Sequence, residues 1–533
     1  MRRLDTIVSE QAQRRPDAVA VVDGNERLTY GRLEELANRL ANLLVGEGCK
    51  IGDRIALLTP KTTLAIVSML GVLKAGAAYV PIDPSSPPRR VARVLAACRP
   101  RFAMLADASA AQFDEALADA TNTACRVVAL DSGGPPRERF KPSYDLTDVA
   151  RASASRPAVA TDDRALAHVL FTSGSTGVPK GVMIEHRNVV SFLDWAWNYF
   201  GTAPGDRQSS HPPLHFDLST FDVFGTLGAG GELHLVRPQL NLFAHKLADY
   251  IRTNELTQWF SVPSILTYLA KFDAVRQNDF PAMERLLWCG EVLPTPTLIY
   301  LMKRLPHVRF TNLYGPTEAT IASSYHSVSA IPSDERAPIP IGTPCGGEEL
   351  LVFGDDLRPA PAGEVADLYI AGAGLSPGYW QDPETTAGAF ISDPRKPHER
   401  IYRTGDLASV GADGLVYFHG RRDGQIKSRG YRIELGEIEA ALSTLPYLKE
   451  SVVVGVETNG FEGTQICCSY VSAEPGLSPA RIRTDLARHV PNYMLPTQWM
   501  ELDLLPRNQN GKSDRPHVRE LFRARTALRE VKV

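Results

Sequence analysis

Short apolar runs alternate along the chain with longer segments in which apolar residues recur every three or four positions. Runs of four or five mostly apolar residues predict strands, and the pattern over Leu33–Leu44 predicts an amphipathic helix. This alternation predicts an α/β fold with mostly parallel sheets. The predicted strands of the first part of the chain are Val19–Val22, Arg54–Leu58, Tyr79–Ile82, Phe102–Leu105 and Arg126–Leu130.

A further apolar run, Ala165–Phe171, leads into a loop of small and hydroxyl-bearing residues, and a second apolar run begins at Gly181. Glycines allow tight turns, and hydroxyls beside free backbone N–H groups can bind phosphate oxygens. The segment predicts a strand–loop–strand phosphate cradle, although an ordinary polar loop gives a similar pattern. Because glycine and not Ser or Thr follows the lysine, the loop differs from the Gly-Lys-Ser/Thr mononucleotide motif. The candidate phosphate ligands are Thr172, Ser173, Gly174, Ser175, Thr176, Gly177 and Lys180.

Composition and charge are those of a large globular enzyme. The 533 residues are 44% hydrophobic and 22% charged, with a formal net charge of -3, which gives no bias toward nucleic acid or membrane partners. No apolar stretch approaches the length of a membrane span, and the N-terminus lacks the apolar core of a signal peptide, so we expect a cytoplasmic protein. Seven cysteines without metal-ligand spacing predict reduced thiols, and Cys467 and Cys468 lie in an apolar pattern that predicts core positions.

Two changes in composition suggest internal boundaries. Residues 131–164 are rich in Pro, Arg, Ser and Asp and predict a surface loop. Glycine and charged residues at 420–424 separate two strand-bearing regions and predict a hinge. Length alone suggests two to four domains. We therefore expect a large N-terminal α/β domain over 1–420, a hinge at 421–424 and a small, mobile C-terminal α+β domain over 425–533.

Many short motifs follow one another in a fixed order, and together they resemble the adenylate-forming enzymes. This superfamily comprises amino-acid adenylation domains, such as those of nonribosomal peptide synthetases in antibiotic biosynthesis, together with acyl-CoA synthetases and luciferases. Besides the phosphate loop, the matching segments are Leu28–Tyr30 with Ala37–Ala41, Leu73–Asp83, Phe216–Ser219, Asn312–Glu318, Gly363–Glu364 with Gly378–Tyr379, Tyr402–Leu407, Gly420–Glu439, Pro491–Met494 and Asn510–Lys512. In the last motif Asn508 and Gln509 replace the more usual Thr-Pro.

The resemblance implies a ligase that uses ATP and Mg²⁺ and performs two half-reactions at one site. A carboxylate attacks the α-phosphate of ATP to give an acyl-adenylate and pyrophosphate, and a thiol then takes the acyl group. The protein does little covalent work in the first step, so positioning and charge stabilisation supply most of the acceleration. The resemblance places Thr172, Glu318 and Lys512 in the catalytic set.

Individual roles on the nucleotide side follow from the same motifs. Glu318 is the implied Mg²⁺ ligand, although a glutamate after Gly-Pro-Thr is also typical of a charge at a helix N-terminus. Tyr314 is implied to stack on adenine, and Asn312 has an amide suited to the exocyclic amine. Gly315 and Thr317 belong to the same implied ATP site. Outside this motif, either Tyr314 or Asn312 could be a plain core residue.

The later motifs imply four more roles. Asp406 is implied to accept both ribose hydroxyls, and Arg421 to lie beside the ribose and phosphates. Lys512 is implied to reach the adenylate oxygens from the C-terminal domain, whereas a lysine near a terminus is normally a solvated charge. Asp423 is the implied hinge residue, and a turn aspartate would give the same pattern.

Asp217 stands where amino-acid adenylation domains hold the substrate's ammonium group, which favours an α-amino acid. The implied pocket has no charged side chain besides Asp217, and two phenylalanines reduce its volume, so we expect a small neutral amino acid. The segments Phe216–Ser219 and Cys289–Pro294 also resemble D-alanine carrier-protein ligases, so alanine is preferred over serine, glycine, cysteine and valine. The positions carried over for substrate binding are Phe216, Asp217, Leu218, Phe221, Phe260, Leu287, Cys289, Gly290, Leu313, Ile321 and Ala322.

The chain lacks the Gly-Gly-His/Asp-Ser signature that carries phosphopantetheine, so the expected partner is a separate carrier protein with that group. An acyl-CoA synthetase is an alternative that Asp217 disfavours. A catalytically silent scaffold is another, which is disfavoured by the presence of Glu318, Asp406, Arg421 and Lys512. The basic stretch after Asp514 predicts either a solvated tail or a surface that steers an acidic carrier protein.

Overall fold

The structure is a computed structural model that describes residues 2–120, 125–131, 139–174, 179–422, 424–457, 464–507 and 513–530. Within these residues the strands, in chain order, are β1 (Val19–Asp23), β2 (Glu26–Thr29), β3 (Arg54–Leu58), β4 (Ala78–Pro81), β5 (Phe102–Leu105), β6 (Arg126–Ala129), β7 (Leu166–Thr172), β8 (Lys180–Glu185), β9 (Arg207–Ser210), β10 (Glu232–Leu235), β11 (Gln258–Ser261), β12 (Arg285–Cys289), β13 (Arg309–Tyr314), β14 (Ser324–Val328), β15 (Thr343–Pro344), β16 (Glu348–Phe353), β17 (Ala366–Gly372), β18 (Phe390–Asp393), β19 (Lys396–Val410), β20 (Val416–Arg421), β21 (Gln425–Ser428), β22 (Tyr431–Glu434), β23 (Leu448–Glu457), β24 (Thr464–Ser472) and β25 (Gln498–Glu501).

The helices, numbered in the same way, are α1 (Leu4–Arg14), α2 (Tyr30–Gly46), α3 (Thr63–Lys74), α4 (Pro88–Cys98), α5 (Ala110–Asp119), α6 (Leu146–Arg151), α7 (His186–Phe200), α8 (Leu218–Thr220), α9 (Thr226–Ala229), α10 (Ala244–Thr253), α11 (Pro263–Lys271), α12 (Thr295–Arg304), α13 (Pro383–Ala389), α14 (Leu435–Leu442), α15 (Pro479–Leu486) and α16 (Arg515–Glu530). A π-helical turn over Phe221–Gly225 joins α8 to α9. The predicted early strands are confirmed, each within one or two residues, and the predicted helix lies inside α2.

Two large sheets carry the α/β part of the fold. The first has the strand order β6-β5-β3-β4-β7-β8 and the second the order β15-β14-β13-β12-β11-β9-β10-β1-β2. Their central strands are parallel, and antiparallel strands lie at the edges. Helices α1, α2, α3 and α7 contribute to one apolar core that contacts both sheets. The predicted α/β class is therefore confirmed.

A third sheet departs from the mostly parallel expectation. Strands β16, β17, β19 and β18 run antiparallel, and β20 pairs with β19. Short connections join β18 to β19 and β19 to β20, and short links favour antiparallel neighbours because a parallel pair needs a long crossover. The prediction of a surface loop over residues 131–164 is wrong in part. The described part of this segment contains helix α6, in which Val149 is buried.

The C-terminal part is built on a small sheet of β23, β24 and β25, with the separate β21–β22 hairpin before it. Cys467 and Cys468 are buried on β24, as predicted, and all seven cysteines are free thiols. The basic stretch after Asp514 is not a solvated tail, because it forms α16 and buries Val518 and Phe522 against this sheet.

The predicted hinge lies where the chain leaves β20 in the third sheet and enters β21 in the hairpin. Asp423 itself is outside the described residues, and rotation at this point stays a prediction. None of the helices in the described ranges is both long and apolar enough to cross a membrane.

Candidate active site

The phosphate loop lies between two antiparallel strands, β7 and β8, which confirms the predicted strand–loop–strand arrangement. The hydroxyl of Ser173 donates to the carbonyl oxygen of Arg432 at 2.7 Å, and Thr172 Oγ1 lies 3.5 Å from the carbonyl oxygen of Lys180. The Lys180 ammonium is 5.7 Å from the ring centre of Tyr379, and both line a cavity of about 710 Å³. Gly174 is at the start of the loop, and Ser175, Thr176 and Gly177 lie outside the described residues.

A buried carboxylate connects the third sheet to the end of β13. Asp406 pairs in register with Arg421 across β19 and β20. Its two oxygens accept bonds of 2.5 Å from the Tyr314 hydroxyl and the Arg421 guanidinium. Burial, and next the charge of Asp406, raise the pKa of Tyr314 well above its usual range, which keeps the phenol protonated as a donor. A ribose diol would meet a carboxylate that is already oriented.

The residues around Tyr314 include positions predicted to bind ATP and one that contacts the predicted amino-acid anchor. The Asn312 amide donates 2.9 Å to the carbonyl oxygen of Pro340, which leaves its own oxygen as the group that could accept from adenine. A Cβ at Gly315 would lie 2.6 Å from the backbone of Ala322, so a larger residue does not fit there. Thr317 was predicted on the ATP side, but its hydroxyl donates to Asp217 Oδ2 at 2.8 Å. Its side chain therefore contacts the proposed amino-acid anchor.

Glu318 is the most enclosed carboxylate of the site, with 1% of its surface exposed. Tyr379 donates its hydroxyl to Oε1 at 2.8 Å, and Arg432 donates to Oε2 at 2.6 Å. Burial alone would raise the pKa of Glu318, but the Arg432 guanidinium and the Tyr379 hydrogen bond leave this pKa below its ordinary value. The carboxylate is therefore ionised and is held in a fixed orientation.

The predicted substrate pocket lies at the carboxyl ends of three neighbouring parallel strands. Phe260 on β11 pairs with Leu287 on β12, and Cys289 pairs with Leu313 on β13. Because side chains alternate along a strand, these residues point to one face, and Phe221 meets them with its ring centre 5.7 Å from that of Phe260. The carried-over apolar residues are all buried within one core: Leu218, Phe221, Phe260, Leu287, Cys289, Leu313, Ile321 and Ala322.

Asp217 lies immediately before α8, whose first residue, Leu218, belongs to this apolar cluster. Burial raises the pKa of Asp217 to about 6, and the hydrogen bond from Thr317 opposes that rise. Phe216 precedes it and packs edge-on against Tyr431, with ring centres 4.9 Å apart. Gly290, at the end of β12, adopts a φ of 97° that favours glycine. A cation bound at the Asp217 carboxylate would offset the free-energy cost of ionising this carboxylate in a buried site.

Two features of the pocket were not foreseen. Thr320 and Ile321 both have positive φ, 56° and 71°, an unusual conformation for β-branched residues. Such backbone is tolerated where surrounding contacts hold it, and Thr320 donates to the carbonyl oxygen of Gly374 at 2.6 Å. This turn places Ile321 in the apolar cluster. Threonine and isoleucine rarely adopt positive φ, so the sequence of the turn does not predict its strained backbone.

Sequence reasoning also missed the contributions of the β21–β22 hairpin. Arg432 contacts Glu318, and the Lys427 ammonium lies 5.5 Å from the ring centre of Tyr314. Lys427 also lines a cavity of about 470 Å³ together with Asn312 and Tyr314. Both residues belong to the segment 420–439 that resembles the superfamily. That resemblance was the sequence signal from which their place in the site could have been predicted.

A buried ion pair joins the C-terminal part to the N-terminal body. Arg90 on α4 contacts the carboxylate of Glu437 on α14, and the two side chains are only 8% and 2% exposed. Lys512 lies outside the described residues, so the structure does not locate the predicted catalytic lysine. The described C-terminal residues that share a cavity with Asn312 and Tyr314 include residues of the hairpin, of α14, of β23 and of α16.

The chain matches the family described as AMP-binding enzyme over residues 8–380, and that described as AMP-binding enzyme C-terminal domain over residues 437–512. The chain belongs to this family of adenylate-forming enzymes, as the sequence motifs indicated. The first match ends at residue 380 and the second begins at residue 437, so the predicted domain limits at 420 and 425 fall between them and stay predictions.

Curated relatives include much longer synthetases. The chain is 34% identical to surfactin synthase subunit 2 of Bacillus subtilis (strain 168) over 511 residues, which is 96% of this chain and 14% of that protein. It is 33% identical to tyrocidine synthase 1 of Brevibacillus parabrevis over 516 residues, or 96% of this chain and 44% of that protein. The chain therefore spans less than half the length of these relatives.

Solved structures share the fold over nearly the whole chain. The fused adenylation–PCP di-domain NpsA-ThdA from Klebsiella oxytoca has a TM-score of 0.79 at 25% identity and covers 94% of this chain and 93% of its own. The adenylation domain AlmE of Vibrio cholerae, in complex with glycyl-adenosine-5'-phosphate, has a TM-score of 0.83 at 22% identity and 98% coverage of both chains. At 22% identity, the likeness to AlmE shows that the two chains share a fold.

Proposed function

We propose that this chain converts a small neutral α-amino acid, with alanine as the first candidate, into its adenylate and transfers the aminoacyl group to the phosphopantetheine thiol of a carrier protein. The observation that carries the proposal is the Asp217 carboxylate, which accepts a hydrogen bond from Thr317 and directly precedes Leu218 of the apolar cluster. The long synthetase relatives and the adenylation–PCP structure support the same reading.

In the first step a carboxylate oxygen of the amino acid forms a bond to the α-phosphorus, and the bond to pyrophosphate breaks. Asp217 would hold the ammonium group, Asp406 the ribose hydroxyls, and Tyr314 the adenine ring. In the second step the carrier's sulfur bonds to the acyl carbon, and AMP leaves. Fixed charges at these points supply positioning and need no reorganisation during reaction.

Glu318 fits a role in holding Mg²⁺, which supplies charge neutralisation for the phosphates when bound. Its ionised carboxylate is a hard oxygen ligand, and Mg²⁺ is commonly bound by one or two carboxylates together with substrate phosphates. Among the residues that the structure describes, no group of three or more His, Cys, Asp or Glu side chains could hold a metal ion.

Pocket size supports a small side chain. Phe221 and Phe260 pack edge-on in the apolar cluster, with ring centres 5.7 Å apart, and no charged residue besides Asp217 is among the carried-over positions. A hydrophobic pocket discriminates weakly, by about 10- to 200-fold, against a side chain that is one methylene smaller. We therefore expect several small amino acids to react, with alanine preferred and with bulky or charged ones excluded.

Amino-acid-dependent exchange of pyrophosphate into ATP tests the proposal. We expect exchange with alanine and other small neutral amino acids and none with aryl or fatty acids. Exchange with the latter acids alone would favour an acyl-CoA synthetase, and no exchange with any acid would favour a silent scaffold. Loading of a phosphopantetheinylated carrier protein, followed by mass spectrometry, tests the second step.

A further inference from the structure

The left-handed turn of Thr320 and Ile321 needs support from outside the pocket, because positive φ is unfavourable for β-branched residues unless surrounding contacts hold it. Thr320 is 2% exposed, and its hydroxyl donates to the carbonyl oxygen of Gly374 at 2.6 Å. Ile321 and Ala322 follow directly and belong to the apolar cluster of the predicted substrate pocket. The contact of Thr320 with Gly374 therefore helps to set the position of two pocket residues.

Gly374, the partner of Thr320, lies after β17 and has no room for a side chain. A Cβ at this position would lie 2.8 Å from the carbonyl oxygen of Ala319 and 2.9 Å from Oε1 of Glu348. The N–H of Gly374 donates to that same Oε1 at 2.7 Å. One glycine thus packs against the turn on one side and against Glu348 on the other, and it connects the Glu348 carboxyl to the Thr320 hydroxyl.

The segment around Gly374 is fixed at further points. The Asn188 amide on α7 donates to the carbonyl oxygens of Ala373 and Leu375, at 2.8 and 3.1 Å. The N–H of Ser376 donates to the carbonyl oxygen of Glu318 at 2.9 Å. Residues 373–376 therefore form a rigid support behind the turn, and Glu348 connects this support to the first residue pair of β16 and β17 in the third sheet.

The environment of Glu348 favours a neutral carboxyl group. Its Oε2 is buried and has no hydrogen-bond partner among the residues that the structure describes. Burial raises the pKa of Glu348 to about 8, and the hydrogen bond from Gly374 opposes that rise. The group is therefore mainly protonated at pH 7. A protonated carboxyl and the amide of glutamine have similar shapes, and each has an oxygen that can accept from Gly374, so glutamine is the conservative substitution here.

We propose that Glu348 is a positioning residue for amino-acid selectivity, which acts through Gly374 and Thr320 to hold the turn that places Ile321 in the pocket. This role depends on the proposed function, because selectivity is defined for an enzyme that activates an amino acid. Without the Glu348 contact, Gly374 is less constrained and the strained turn relaxes. Ile321 then moves away from the other pocket residues, and larger side chains fit.

Hydrogen exchange of the full chain, measured by mass spectrometry on peptides that cover residues 316–323, tests the structural link. The N–H groups of Ala322 and Ser323 donate to the carbonyl oxygens of Thr320 and Tyr314, at 2.9 and 2.7 Å, so relaxation of the turn should expose them. We expect several-fold faster exchange in Glu348→Ala and in Thr320→Val. Glu348→Gln and Thr320→Ser keep the hydrogen bonds and should exchange like the wild type.

Pyrophosphate exchange then measures the ratio of kcat/KM for alanine to that for valine. We expect Glu348→Ala to lower this ratio by about 10-fold, since small differences in a hydrophobic side chain are discriminated to this extent. Glu348→Gln should keep the ratio. The matched control is Glu349→Ala, because this adjacent glutamate is 41% exposed and pairs with Lys396, and it should keep both the ratio and the hydrogen exchange.

A role in stability alone would lower the Tm and slow the reactions of both amino acids equally, without a change in their ratio. That result would overturn the inference, as would unchanged exchange of residues 316–323 in folded Glu348→Ala, or an equal loss of selectivity in Glu348→Gln. Circular dichroism and thermal unfolding establish that each variant is folded. If Glu348→Ala does not fold, Thr320→Val tests the same contacts, because it removes one hydroxyl and keeps the side-chain shape.

Failure of the proposed function is a separate result. The wild-type protein would then lack amino-acid-dependent pyrophosphate exchange. The difference in hydrogen exchange between Glu348→Ala and Glu348→Gln would still decide whether Glu348 holds the turn.

Discussion

At the level of single residues, the environment of Asp217 carries the clearest functional signal. Burial raises its pKa to about 6, while Thr317 holds one oxygen and a pocket of apolar side chains lies beyond it. For an acid whose folded pKa is raised, ionisation costs stability as pH rises through that value. A bound ammonium group would stabilise the ionised form of Asp217 and lower its pKa. Binding of the substrate and ionisation of Asp217 are therefore coupled.

The Michaelis constant for the amino acid should therefore rise as pH falls below about 6, where Asp217 takes up a proton. Asp217→Asn should raise this constant at pH 7.5 by about 10-fold or more, since it removes a charge-assisted contact, and should abolish its dependence on pH in this range. ATP affinity should change little. Steady-state exchange kinetics between pH 5 and 8 measure these effects. A variant with the wild-type pH profile would show that another group binds the ammonium.

Lys512 is a residue whose role rests on its motif. If it stabilises charge in the adenylation transition state, Lys512→Ala should reduce adenylation by about 100- to 1000-fold, as for loss of a key oxyanion donor. Transfer from preformed aminoacyl-adenylate should continue at a nearly normal rate. Rapid-quench assays of the two half-reactions separate them, and an equal loss in both would contradict the assignment.

The residues that could be predicted were those inside motifs with a defined role. Asp217 and Asp406 both contact the motif that contains Glu318, because Thr317 donates to Asp217 and Tyr314 donates to Asp406, while their roles stay predictions. The contact between Arg432 and Glu318 could not be predicted, since it depends on how the C-terminal part packs against the body. The strained φ of Ile321 likewise comes from tertiary contacts.

At the level of elements, apolar runs located the parallel strands well because these strands are buried on both faces. Strand β5, for example, begins and ends where the pattern predicted. The same reasoning failed for the third sheet, where β19 is exposed over its first third and its charged residues hide the strand pattern. It also failed for α16, where the many arginines suggested a solvated tail although Val518 and Phe522, four residues apart, lie on one buried helix face.

Helix α16 changes how a basic docking surface should be tested. Removing the helix would expose apolar surface, so we choose Arg525→Gln, an exposed position on the same helix. If this charge steers an acidic carrier protein, loading should slow by about 2- to 5-fold at low salt, and the difference should vanish at high salt. Pyrophosphate exchange should be unchanged. The control is Arg358→Gln, whose arginine is exposed near β16, and equal salt dependence in both variants would exclude steering.

At the level of the whole molecule, one buried ion pair reports on how the C-terminal part sits against the body. Arg90 and Glu437 connect α4 to α14 and have little contact with solvent. If the chain rotates at the predicted hinge between half-reactions, this pair must break and re-form. Its strength would then bias the balance between the two arrangements, in favour of the one described by the structure.

Glu437→Gln should weaken this arrangement because it leaves the Arg90 guanidinium buried without its charge partner, a change worth about 3 to 5 kcal/mol for a fully buried pair. We expect faster limited proteolysis near residues 420–424 and slower carrier loading, with pyrophosphate exchange retained. The control is Glu474→Gln, whose ion pair with Arg481 is half exposed and should contribute little. A double-mutant cycle with Arg90→Gln should give strong coupling in the loading rate. If Glu437→Gln slows both half-reactions equally while the protein stays folded, the pair stabilises the fold as a whole and does not favour one arrangement over the other.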